Sequence, residues 1–193
     1  MSIFIIFITR ITNKIGSHAI NTLVLNQKIF NITVKEENGH FLLIDAADSG
    51  EMFILASLIQ HSMKSNDVIF LEREGTENTD LFIFNGAVNP LTKKDIRKIK
   101  KSLSYIKPEI IKLPLVNLHD ETVWDTWEHW KYEEQLKIKA DKDLAIINTS
   151  QLGLKLLLHS CSHLATSYSG HSHFDRNSTK SSPELIIRNM ARN

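Results

Sequence analysis

Phe41-Leu-Leu-Ile-Asp45-Ala-Ala-Asp48-Ser-Gly-Glu51-Met-Phe-Ile-Leu-Ala-Ser-Leu-Ile-Gln-His-Ser-Met63 changes period partway along. Phe41 to Asp45 reads as a strand, entered through Asn38-Gly39, a pair suited to the positive φ angles of a tight hairpin turn. Beyond Asp48 the apolar residues Met52, Leu55, Ala56, Ile59 and Met63 recur at helical spacing. Asp48-Ser-Gly-Glu51 has capping-box spacing, which sets a carboxylate against the first free backbone N–H groups of that helix. A strand running into a capped helix is therefore the unit from which the fold is read.

The same alternation continues downstream. Val68 to Leu71 and Leu81 to Phe84 read as short strands, with the polar Glu72 to Asp80 stretch as the loop between them. Thr92-Lys-Lys-Asp95 opens a second helix with Ile96, Ile99, Leu103 and Ile106 on one face, stopped by Pro108. Ile110 to Val116 reads as a strand, and Pro114 within it argues for an edge position. A long helix is expected from about Asp120 to Lys139, then a strand from Leu144 to Ile147 and a helix from Gln151 to about Ala165. Upstream, Ile3 to Thr9 reads as a strand, and Thr22 to Leu25 and Ile29 to Val34 flank Asn26-Gln-Lys28 as a hairpin. The expectation is an α/β or α+β fold: a mixed sheet with an antiparallel N-terminal portion and helices on its faces. Residues 1–165 form this unit, and residues 166–193 add a polar loop and a short C-terminal helix to the same domain. No internal repeat is evident.

Composition narrows the function classes. With 42% apolar and 23% charged residues among 193, the chain has the make-up of a globular protein. A formal charge of +1 gives no general attraction to nucleic acid or anionic membrane. The one cysteine, Cys161, cannot pair within the chain, the apolar start is interrupted by Arg10 and Lys14, and no stretch reaches the roughly 20 apolar residues of a membrane helix. A cytoplasmic setting with no membrane partner is expected.

Chemistry-bearing residues concentrate near the C-terminus. His159 and His163 share a helix face at the spacing zinc helices use, with Ser160 where a general-base Glu would stand. Further on, His171-Ser-His173 places two imidazoles on one side of an extended backbone, as a divalent metal requires. Seven residues later comes Ser181-Ser-Pro-Glu184. That order resembles the motif of the JAMM metalloproteases, in which two histidines and an acid hold zinc and a serine supports the oxyanion. The resemblance implies His171, His173 and Glu184 as zinc ligands, Ser181 as the oxyanion-side hydroxyl, and Glu72 or Glu74 as general base. Zinc would lower the pKa of a bound water towards 7 for amide hydrolysis. The sequence departs from the motif in having Glu184 for Asp and Phe174 for the proline that commonly follows the second histidine. His171-Ser-His173-Phe-Asp175 is similar to the metallo-β-lactamase pattern as well, with Arg176 in place of its final histidine.

Two further features point elsewhere. Trp124, Trp127 and Trp130, three apart, make a slanting aromatic stripe suited either to packing on the sheet or to a protein partner. Lys93, Lys94, Arg97, Lys98, Lys100 and Lys101 make a basic helix, read as a solvated face in preference to a nucleic-acid contact because no aromatic residue is interleaved. Asp45, Asp48 and Glu51 cluster at a strand end, where capping accounts for the second and third.

Overall fold

A computed structural model describes residues 6–114, 116, 136–174 and 182–191. Strands β1 (Ile6–Ile15) and β2 (His18–Asn26) form an antiparallel hairpin. Its two-residue connection starts at Gly16, whose φ of 61° a side chain would oppose. β3 (Ile32–Glu37) and β4 (Phe41–Ala46) form a second hairpin, with Asn38 and Gly39 at φ 55° and 73°. Then follow α1 (Ser49–Ser65), β5 (Val68–Glu72), β6 (Asp80–Asn85), α2 (Lys93–Ser102), β7 (Glu109–Leu113), β8 (Leu136–Ala140), β9 (Leu144–Thr149), α3 (Gln151–Thr166), β10 (Gly170–Phe174) and β11 (Glu184–Asn189).

The mixed α/β class read from the sequence holds, with its strands divided between two sheets. Sheet A has the order β7-β1-β2-β5-β6-β9-β8 and sheet B the order β10-β11-β4-β3. The inner faces of both share one core with α1 and α3, built on Leu23, Ile44, Leu55, Ile83, Leu157 and Ile187. A second core lies on the outer face of sheet A, where Ile96 and Ile99 of α2 cover Val68, Phe70, Phe82 and Phe84. The outer face of sheet B has no helix over it among the described residues.

A topological repeat underlies this arrangement. β3-β4-α1-β5-β6 and β8-β9-α3-β10-β11 have the same element order, and each contributes one hairpin to each sheet. The halves join through parallel pairs, β4 with β11 and β6 with β9. Matching bonds recur at matching places. Asn85 Nδ2 donates to Gln151 Oε1 at the start of α3, and Asn189 Nδ2 donates to Ser49 Oγ at the start of α1. Ala87 N donates to Asn85 Oδ1 and Ala191 N to Asn189 Oδ1. Gly86 N donates to Thr149 O and Met190 N to Ala46 O. The sequence reading missed this repeat because it survives in few identities: Asp80-Leu-Phe-Ile-Phe-Asn85-Gly-Ala87 against Glu184-Leu-Ile-Ile-Arg-Asn189-Met-Ala191.

Four local expectations are corrected. The Thr22–Leu25 and Ile29–Val34 stretches do not pair; β2 lies in sheet A between β1 and β5, while β3 lies in sheet B. Gln27 explains the crossing, since its buried amide donates to Leu71 O and Thr79 O and accepts from Val34 N, tying the sheets at a corner. The helix expected from about Asp120 to Lys139 lies mostly outside the described residues, and its last part, 136–139, belongs instead to strand β8, with Leu136 and Ile138 inward and Lys137 and Lys139 outward. The polar 166–182 stretch contains β10, and the expected C-terminal helix is β11. In β11 the buried residues Leu185, Ile187 and Asn189 alternate at period two, and pairing with β4 outweighs the helix-start signal of Ser182-Pro183-Glu184. No described helix is long and apolar enough to cross a membrane.

Candidate functional site

β10 is an edge strand, and its alternation sends both imidazoles to the outer face of sheet B. In register, His171 stands opposite Arg188 and His173 opposite Ile186. The two rings meet edge to face with centroids 4.8 Å apart. Glu184, the first residue of β11, pairs with His173 through Oε1 and Nδ1. A carboxylate accepts, so in the neutral ring Nδ1 carries the proton and Nε2 keeps its lone pair. Arg188 is held by a two-pronged contact to Asp45, Nε to Oδ1 and NH2 to Oδ2, each 2.6 Å. Hydrogen bonding to Asp45 raises the pKa of that guanidinium above its ordinary value.

The structure thus brings together His171, His173 and Glu184, the three ligands expected from the sequence. Glu184 engages the imidazole of His173, however, and no group of three His, Cys, Asp or Glu side chains among the described residues is disposed around one cation. Glu72 is elsewhere. It ends β5 opposite Asn26, on the outer face of sheet A, so the helix layer separates it from the imidazole pair. Ser181 and the tryptophans Trp124, Trp127 and Trp130 lie outside the described residues. On α3, His159 is half-buried and His163 exposed. Cys161 is fully enclosed, and burial pushes its thiol up to about 12. The acidic cluster divides as capping requires: Asp48 accepts from Gly50 N and Glu51 N at the head of α1, while Asp45 serves Arg188. Burial, then hydrogen bonding to Asp48, raises the Glu51 pKa.

A second candidate surface was not anticipated. α2 covers only part of sheet A, and beyond it β1 and β2, with the segments that follow β2 and α2, form a hollow of about 330 Å³ lined by Phe7, Val24, Ile29, Leu103, Ile106 and Pro108, among others. Phe7 is 62% exposed and Ile29 74%. Ile110, opposite Thr9 on the same face, is 62% exposed. Lys112 stands directly across from Phe7, Lys107 lies exposed between Ile106 and Pro108, and Glu72 also lines the hollow. The Phe7-Ile8-Thr9 alternation carried the signal, because one of its two faces had to lie outside the main core. On the inner side of this hairpin, buried Asp67 takes His61 Nε2 at 3.2 Å and lies 3.9 Å from Arg10 NH1. Arg10 in turn bonds Glu109, which fastens β7 to β1.

A third site lies at the opposite end of sheet A. There Lys93, Lys137 and Lys139 surround a hollow of about 340 Å³ floored by Phe84, Leu91 and Ile146. Lys93 is paired with Asp141 at 3.1 Å.

Comparison of the chain with known families, with curated proteins and with solved structures gives no match.

Proposed function

We propose that this chain is a non-catalytic binding module that docks a protein partner on the outer face of sheet A, beside α2. The observation carrying the reading is the concentration of exposed Phe7, Ile29 and Ile110 around one apolar hollow. Uncovered large apolar side chains grouped in this way mark interaction sites more often than solvent-facing strands. Charge defines the partner. Lys112 stands across from Phe7 and the exposed Lys107 lies between the lining residues Ile106 and Pro108, so the matching surface carries an apolar anchor flanked by carboxylates. The lining is mainly aliphatic, which suits an inserted side chain better than a stacked base. The lone, enclosed Cys161 suits a reducing setting such as the cytoplasm.

The test is a photo-crosslinker at Ile110, used in cells that make the chain. A defined acidic protein adduct that survives nuclease treatment is expected. Purified, that complex should weaken by at least about 30-fold in the Ile29→Asp, Ile110→Asp variant, the scale of one hot-spot residue. An adduct dissolved by nuclease, or affinity unchanged in the variant, overturns the reading.

A second reading, zinc-dependent hydrolysis, is favoured by the grouping of His171, His173 and Glu184 on one sheet face. It requires one zinc per chain and an amidase activity lost in His171→Ala with His173→Ala. Zinc-loaded protein without such activity removes it.

A further inference from the structure

We propose that β10 is half of a zinc site, completed when the β10 edge of a second copy pairs with it antiparallel. Among the described residues no strand pairs with the outer edge of β10, although the matching edge of the other half, on β5, is occupied by β2. At that matching edge the fold accepts another strand in parallel pairing, and antiparallel pairing is what β10 already makes with β11. A two-fold axis through Ser172 keeps the outer faces continuous and sets His171 of each copy opposite His173 of the other. Directly opposed residues in antiparallel strands have Cβ atoms about 4.5–5.5 Å apart, so four imidazoles gather on one face. That number satisfies the tetrahedral preference of zinc, which the two imidazoles of one copy do not.

Glu184 fits this arrangement as a positioning residue rather than a ligand. Metal-bound histidines commonly donate their second ring N–H to a carboxylate, which fixes the tautomer and ring orientation. Here Glu184 takes Nδ1 of His173, and Nε2 is the ligand atom. Arg188, across from His171, would oppose a cation were it free; its two-pronged contact with Asp45 neutralises it. The inference is independent of the partner surface on sheet A, because it uses the other sheet and other residues.

The experiment is zinc titration of untagged full-length chain at neutral pH, followed by calorimetry and by light scattering on a sizing column. Half an equivalent of zinc per chain is expected, with conversion of monomer to dimer that a chelator reverses. His171→Ala with His173→Ala should abolish both effects, and Glu184→Gln should weaken zinc binding by about 10–100-fold. All three positions lie on the outer face, and unchanged circular dichroism checks that the variants fold. Cobalt in place of zinc should give the intense visible absorption of a tetrahedral site. One zinc per chain on a monomer, no binding, or a dimer indifferent to the histidine substitutions would each overturn the proposal. The first of these outcomes would favour the hydrolase reading instead.

Discussion

Val68 and Phe70 in one half correspond to His171 and His173 in the other. The register makes the match: Phe70 pairs with Phe82 and His173 with Ile186, at the same distance from the paired Leu81 and Leu185. Both sets point to the outer face of their sheet. α2 lies over the first, so Val68 and Phe70 are fully buried and Phe70 stacks on Phe82 with centroids 4.3 Å apart. Nothing described lies over the second, and imidazoles are tolerated there. One topology thus supports two chemistries, and the presence of a covering helix decides which.

Exchanging the residues tests that statement most severely. Phe70→His should destabilise the protein by about 3–5 kcal/mol, the cost of losing a buried aromatic, read from urea unfolding. The matched asparagines come next. Asn189 Nδ2 donates to Ser49 Oγ, Leu164 O and Ser167 O, whereas among the described residues Asn85 Nδ2 reaches only Gln151 Oε1, at 3.4 Å. Asn189→Ala should therefore cost about 1–3 kcal/mol and Asn85→Ala about 1 kcal/mol or less. Equal losses would mean that the repeat is tied together equally at both ends. His173→Phe, the reverse exchange on the open face, should stay within about 0.5–1 kcal/mol, since it removes only a half-exposed pair with Glu184.

The smallest effect concerns the cover itself. Hydrogen bonds from the Thr92 side chain and backbone hold the Asp95 carboxyl below its ordinary pKa of 3.8. A depressed carboxyl contributes stability above its unfolded pKa, and the contribution is lost as pH falls through the lower folded value. Protection of the amides at the head of α2, relative to their intrinsic exchange rates, should fall below about pH 4, and Asp95→Asn should show the lower protection already at neutral pH.

Local signals in the sequence were reliable where a cap or turn had one physical solution. Asp48 and Thr92 cap their helices as read, with the full capping box present at Thr92, and Asn38-Gly39 turns the chain as expected. Pro114 correctly placed β7 at an edge. What stayed hidden was long-range. Nothing near Gln27 announces that its amide bridges two sheets, and Ser182-Pro183-Glu184 is a good helix start until β4 is seen beside it. The candidate site follows the same division. The His171, His173 spacing was legible because it is local, but the role of Glu184 and the remoteness of Glu72 depend on which sheet each strand joins.

The parallel junction of β4 with β11 has a consequence for synthesis. Asp45 and Arg188, which clasp across it, are 143 positions apart in the chain. During translation the Leu42-Leu43-Ile44 strand is finished long before its neighbour leaves the ribosome, and its exposed backbone must wait beside the nascent α1. Contacts this distant are expected to make folding slow, with the last strand acting as a latch on the first half.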